Sequence, residues 1–117
     1  MRNFKELKIW QRGIDIAIKT YEFTDTCPKE DKYGIVQQMT RAGVCIPFNI
    51  AEESSRRSEK DYFRFIEISL GSTFELETQI IIAEKLNKGN QQLLQELKTE
   101  ITDEQRMLTG FQQKLNQ

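Results

Sequence analysis

Apolar residues recur along this chain at alternating steps of three and four, the spacing of helices that each bury one face. In the first segment, about residues 4–24, Leu7, Trp10, Ile14, Ala17 and Tyr21 form one such line. Ile9, Ile16 and Phe23 form a second line beside it. A helix with two apolar lines touches more than one neighbour; core contacts account for one line, and a subunit interface is the natural candidate for the other. Thr24-Asp25-Thr26-Cys27-Pro28 breaks the pattern. Pro28 suits the first turn of a new helix, with Thr26 or Cys27 as its cap. A second helix, about 29–54, then carries Ile35, Met39, Ala42, Ile46 and Ile50 on one face. Pro47 within it predicts a kink rather than an end, because the pattern resumes at Ile50 and Ala51.

Ser54-Ser55-Arg56-Arg57 reads as a turn, and Ser58 as the N-cap of a third helix with acids in its first turn. That helix, about 59–87, is the most apolar: Phe63, Ile66, Leu70, Phe74, Leu76, Ile80, Ile81, Ala83 and Leu86. Ser69, Gly71, Ser72 and Thr73 lie in its middle, where small side chains permit a close backbone approach. A glycine inside a helix costs about 1 kcal/mol relative to alanine, so Gly71 predicts a packing role. Asn87-Lys88-Gly89-Asn90 reads as a stop and a new cap. The fourth helix, about 91–115, has Leu94, Leu97, Ile101, Leu108, Phe111 and Leu115 in heptad phase, with Glu104 where an apolar residue is due. Four helices joined by three short connections predict an all-α fold, an antiparallel up-down-up-down four-helix bundle forming one domain over 1–117.

Composition narrows the chemistry. The chain has 117 residues, enough for one core. It contains no histidine, which removes the commonest general base and metal ligand. Without histidine the Glu-x-x-His motif of di-iron bundles cannot form, and a cysteine nucleophile has no imidazole base. No glycine-rich phosphate loop is present. The two cysteines, Cys27 and Cys45, have no zinc-site spacing and fit a reducing cytoplasm, with Cys45 near the apolar face as inert core. No apolar run approaches the length of a membrane span, and the start lacks the apolar stretch of a signal peptide. The expectation is a cytoplasmic protein that is not an enzyme and carries no cofactor or metal.

The net charge is -1, which lends no bulk support to nucleic-acid binding. Two basic groups still stand out. Lys8 and Arg12, with Lys5 and Lys19, share the first helix's polar face, although Asp15 and Glu22 lie there too. Arg56, Arg57 and Lys60, with Arg64, cluster at the second turn amid Glu52, Glu53, Glu59 and Asp61. Lys8, Arg12, Arg56, Arg57 and Lys60 are therefore the candidate nucleic-acid contacts, against a plain solvated face. Gln38, Arg41, Asn49 and Glu52 on the second helix, with Ser72, and also Ser69 and Glu75, on the third, are candidates for a half-buried polar network that fixes helix register.

Several strings resemble one family. Tyr33-Gly34-Ile35-Val36-Gln37-Gln38-Met39-Thr40-Arg41-Ala42, then Cys45-Ile46-Pro47-Phe48-Asn49-Ile50-Ala51-Glu52, resembles the signature of the four-helix-bundle family also called the 23S rRNA intervening-sequence or S23 family. Phe4-Lys5-Glu6-Leu7 with Trp10-Gln11, and Tyr62-Phe63, Phe65-Ile66, Gly71-Ser72 and Glu75-Leu76-Glu77, support it. The likeness covers about residues 4–87. Here Glu53 stands where the family usually has glycine, and Phe48 where a small residue is usual. The resemblance implies up-down bundles that assemble as homopentameric rings, some encoded within intervening sequences of bacterial 23S rRNA genes. It also implies, by way of a strongly basic related branch, an accessory of diversity-generating retroelements that binds RNA or DNA and a reverse transcriptase. A ring would repeat each basic cluster around its axis, so that weak sites add up. Two functions are thus expected: a non-enzymatic oligomeric scaffold first, a nucleic-acid-binding accessory second.

Overall fold

The computed structural model describes residues 3–55 and 59–115; Arg56, Arg57 and Ser58 and the side chains of Glu59 and Lys60 lie outside this description. A 3-10 turn, Phe4–Glu6, leads into α1, Lys8–Thr24. A second 3-10 turn, Lys29–Asp31, precedes α2, Ile35–Glu53; α3 spans Glu59–Lys85 and α4 Gln91–Leu115. The four helices form a rod with extents of 44 × 21 × 20 Å.

Contacts between helices run in opposite order along each pair. Arg12 meets Asp103 and Lys19 meets Glu100, joining α1 to α4. Gly13 lies against Pro47 and Gly43 against Thr20, joining α1 to α2. Glu84 meets Lys98 and Glu77 meets Gln105, joining α3 to α4. Rising numbers on one helix pair with falling numbers on its neighbour, so the bundle is antiparallel as the short connections predict.

The core settles which apolar line does what. Ile9, Ile16 and Phe23 of α1 are buried, whereas Tyr21 is 52% exposed and Trp10 is only partly covered. The second line is therefore the bundle core and the first faces outward. On α2, Met39, Ala42, Ile46 and Ile50 are fully covered, as the pattern predicts. On α4, Leu94, Leu97, Ile101 and Leu108 are buried, and Glu104 with them.

α3 departs from its expected face. Its buried residues are Tyr62, Ile66, Ser69, Thr73, Leu76, Ile80 and Ala83, an unbroken alternation of four and three. Phe74, Ile81 and Leu86, expected inside, are exposed. The core seam runs through two hydroxyl residues, which a reading of apolar positions alone skips. Both hydroxyls are satisfied by carbonyls: Ser69 Oγ donates to Ile46 O at 2.9 Å across to α2, and Thr73 Oγ1 to Leu70 O at 2.6 Å.

Close backbone approach also occurs elsewhere than expected. Gly71 is exposed, and a Cβ there would meet nothing within 4 Å. A Cβ on Gly13 would come within 3.2 Å of Pro47, and one on Gly43 within 3.0 Å of Thr20 Oγ1. The tight seam is therefore α1 on α2. α2 runs unbroken through Pro47, whose ring takes the space that Gly13 leaves.

α2 starts later than its expected position at 29. Pro28 and the Lys29–Asp31 turn form a separate linker, ended by Gly34. Thr26 does not cap α2. Its Oγ1 donates to Phe23 O at 2.6 Å and accepts from Asn90 N at 2.8 Å, tying the α1 end to the α3–α4 turn. That turn is a Schellman stop with Asn87 in the left-handed region (φ 54°), Lys88 N bonding Ala83 O and Asn87 N bonding Glu84 O. Asn90 Oδ1 then accepts from Gln92 N and Leu93 N as the α4 cap.

Candidate interaction surface

The outward line of α1 meets α2 in an apolar groove. Phe4, Trp10, Ile14 and Ala17 line one side, and Val44, Pro47, Phe48 and Ala51 the other, around a volume of about 340 Å³. Phe4 packs edge-on against Trp10, their ring centres 5.3 Å apart, which fixes the groove's mouth. Phe48 stands at its edge, 63% exposed, and Val44, Ile18 and Tyr21 extend the apolar surface. On α3, Ile82 and Leu86 are exposed one turn apart. Ile68, also exposed, lies two heptads earlier on the same side, about 21 Å along the helix, with exposed Glu75 between. Single exposed apolar residues are ordinary; the lined groove is the more unusual feature.

The basic candidates are only partly brought together. The start of α1, the last turn of α4 and the ends of α2 and α3 that flank their connection share one end of the rod. There Lys8 and Lys114 line one cleft of about 300 Å³ with Leu7, Ile9, Met107, Gly110 and Phe111. Lys114 stands apart from both basic clusters of the sequence; only the antiparallel pairing of first and last helix puts it beside Lys8. Arg12 faces α4, where its guanidinium lies 3.5 Å from Asp103. Asp103 thus competes with any phosphate for Arg12, though only weakly for so exposed a pair. Arg56, Arg57 and Lys60 fall outside the described residues or side chains.

The expected polar network is corrected by the structure. Gln38, Arg41 and Glu52 are exposed. Asn49 Nδ2 donates to Cys45 O at 2.8 Å and Ser72 Oγ to Ile68 O at 3.3 Å, both within their own helices. Of the expected members, Ser69 makes the buried α2–α3 hydrogen bond, to the Ile46 carbonyl. The core phase of α3 turns Ser69 inward and leaves Ser72 at the edge.

One buried group stands apart. Glu104 is fully covered, and neither carboxylate oxygen has a hydrogen-bond partner. Burial pushes its pKa up to about 8, with the Arg12 charge opposing weakly. At neutral pH it is a neutral acid in the core. Among the described residues no group of three or more potential metal ligands occurs, and no helix is long and apolar enough to cross a membrane.

The fold is an all-α bundle with an apolar groove on its α1–α2 face and two lysines in one cleft at one end. A family model described as 23S rRNA-intervening sequence protein matches residues 5–110. The chain belongs to that family. It is similar in fold to a crystal structure of a protein of unknown function from the S23 ribosomal protein family of Bacteroides thetaiotaomicron, with a TM-score of 0.82 at 17% identity, covering 90% of this chain and 95% of that one. A search of curated proteins finds no match.

Proposed function

We propose that the protein is a non-enzymatic, self-associating scaffold whose copies meet head to tail. The observation that carries this is the apolar groove between α1 and α2, together with exposed apolar residues at a second place, Ile82 and Leu86 on α3. A two-fold dimer would match one patch with itself; two different patches suit a heterologous contact, which closes into a ring when the rotation permits. The family resemblance favours a homopentamer. Light scattering of the full chain at micromolar concentration is expected to give an oligomer. Phe48→Asp, at a largely exposed position, is expected to shift it to monomer with helix content unchanged. A monomeric wild-type protein, or a Phe48→Asp variant of unchanged size, overturns the reading.

A second reading, a nucleic-acid-binding accessory that also meets a reverse transcriptase, draws support from Lys8 and Lys114 in one cleft. Arg56 and Arg57, which lie outside the described residues, add a basic pair in the sequence. Affinity for structured RNA is then expected to fall steeply with salt, and Arg56→Glu with Arg57→Glu to abolish it. Arg12→Glu is expected to matter less, since Asp103 already engages Arg12. No detectable RNA binding at low salt removes this reading.

A further inference from the structure

We propose that the cleft between the end of α1 and the start of α2 binds a nucleoside phosphate, its base against Tyr21 and Tyr33 and its phosphate on Lys29 and Lys32. The cleft has a volume of about 590 Å³ and is walled by Tyr21, Thr24, Pro28, Tyr33, Val36 and Thr40, with Asp25, Lys29, Lys32 and Gln37 around it. This volume lies in the range of small-molecule sites.

The charges are sorted in a telling way. Asp31 is engaged by Lys88, Nζ to Oδ2 at 2.7 Å, a contact that holds the Lys88 ammonium above its usual pKa. Lys29, Lys32 and Asp25, which line the cleft, form no ion pair among the described residues. The linker therefore satisfies the charge it turns toward α4 and leaves those it turns toward the cleft available. Two cations against one acid leave the lining positive, suited to an anion.

The aromatic surface narrows the anion. Tyr21 is 52% and Tyr33 82% exposed, and Lys32 Nζ sits 5.4 Å from the Tyr33 ring centre. Inorganic phosphate would use neither ring. A nucleobase stacks on exposed aromatic faces whatever its sequence, while lysine binds phosphate as a point charge. Asp25 is an acceptor for an exocyclic amine, which favours adenine over uracil. The linker beneath the cleft is tied down before any ligand arrives, because Lys88 holds Asp31, and Thr26 is bonded to both Asn90 and Phe23. Such preorganisation lowers the cost of binding.

The cleft lies at the opposite end of the rod from Lys8 and Lys114 and one helical turn beyond the apolar groove on the same α1–α2 face; its test reads nucleotide affinity, which neither proposed function predicts. The full chain is titrated by calorimetry with AMP, UMP, adenosine, inorganic phosphate and a short oligoadenylate. AMP is expected to bind, with UMP, adenosine and phosphate each weaker by about tenfold or more, a difference worth about 1.4 kcal/mol. Tyr33→Ala and Lys32→Ala are each expected to weaken AMP about tenfold or more, while Lys85→Ala, on the surface outside the cleft, leaves it unchanged. Equal affinity for AMP and oligoadenylate assigns a free nucleotide; tighter oligoadenylate binding with the same sensitivity to both variants assigns a single-stranded nucleic acid, and both outcomes support the site. No saturable AMP binding at millimolar concentration, or AMP binding indifferent to Tyr33→Ala and Lys32→Ala, overturns it.

Discussion

Replacing Glu104 by leucine is expected to stabilise the bundle, and to do so more as pH rises. In the folded chain the carboxyl is buried without a hydrogen-bond partner and its pKa is pushed up to about 8; the ordinary value is 4.5. The folded state thus holds a proton that the unfolded state has already lost. The contribution of this group to stability is complete below pH 4.5 and is lost as pH rises to about 8. At 1.36 kcal/mol per unit, the loss is about 3 kcal/mol at pH 7 and about 5 kcal/mol above pH 8. Leucine has similar bulk, cannot ionise and fits the apolar surroundings, so its stability is expected to be flat over the same window. Urea unfolding of both proteins between pH 5 and about pH 9 measures the difference directly. Parallel pH profiles would refute the assignment of the pH dependence to Glu104. Glutamine at the same position is expected to flatten the profile as well, but with a smaller gain, because its amide remains a buried polar group.

The opposite effect is expected at Gly89. Its φ of 70° lies where side chains are strained, and a Cβ there would stand 2.8 Å from Phe23 Cε1, 2.9 Å from Thr26 Oγ1 and 3.0 Å from Cys27 Sγ. Phe23 is fully buried and cannot swing away. Left-handed backbone costs a non-glycine residue roughly 1–2 kcal/mol, and overpacking about 1–3 kcal/mol more. Gly89→Ala is therefore expected to cost about 2–5 kcal/mol. Gly71→Ala provides the contrast: exposed, within α3 and with nothing near its Cβ, it is expected to gain about 0.5–1 kcal/mol. Thermal denaturation of the two variants should separate them to either side of the wild type; a Gly89→Ala protein as stable as the parent would show that the turn can move off Phe23.

These two positions also mark how far the sequence could be read. Four helices, their order and the Glu104 anomaly follow from periodicity, because period and length are properties of the string itself. The inner line of α2 follows likewise, since Met39, Ala42, Ile46 and Ile50 recur at helical spacing. α1 offers two lines, and only the placement of its neighbours decides that Ile9, Ile16 and Phe23 go inside. On α3 the core seam passes through Ser69 and Thr73, whose hydroxyls bond to carbonyls and so cost little to bury. A count of apolar residues therefore rotates the helix toward Phe74 and Ile81. The glycines mislead for a related reason: Gly13 and Gly43 carry the close approach because they face Pro47 and Thr20, and that pairing is tertiary. Of the basic candidates, Arg12 is drawn to Asp103, and the approach of Lys8 to Lys114 spans almost the whole chain and leaves no local trace.

The order of packing has a kinetic consequence. α1 lies on α2, α2 on α3 and α3 on α4, each pair joined by a short connection, and α4 returns to α1 to close the set. Three of these four pairings reward a loop as soon as it closes, so the chain can gather hairpin by hairpin at little entropic cost. The fourth must bring the first helix to the last, and the Arg12–Asp103 and Lys19–Glu100 pairs act at that seam. Folding speed is thus governed by one long closure among several short ones, which puts this topology among those that fold in microseconds to milliseconds.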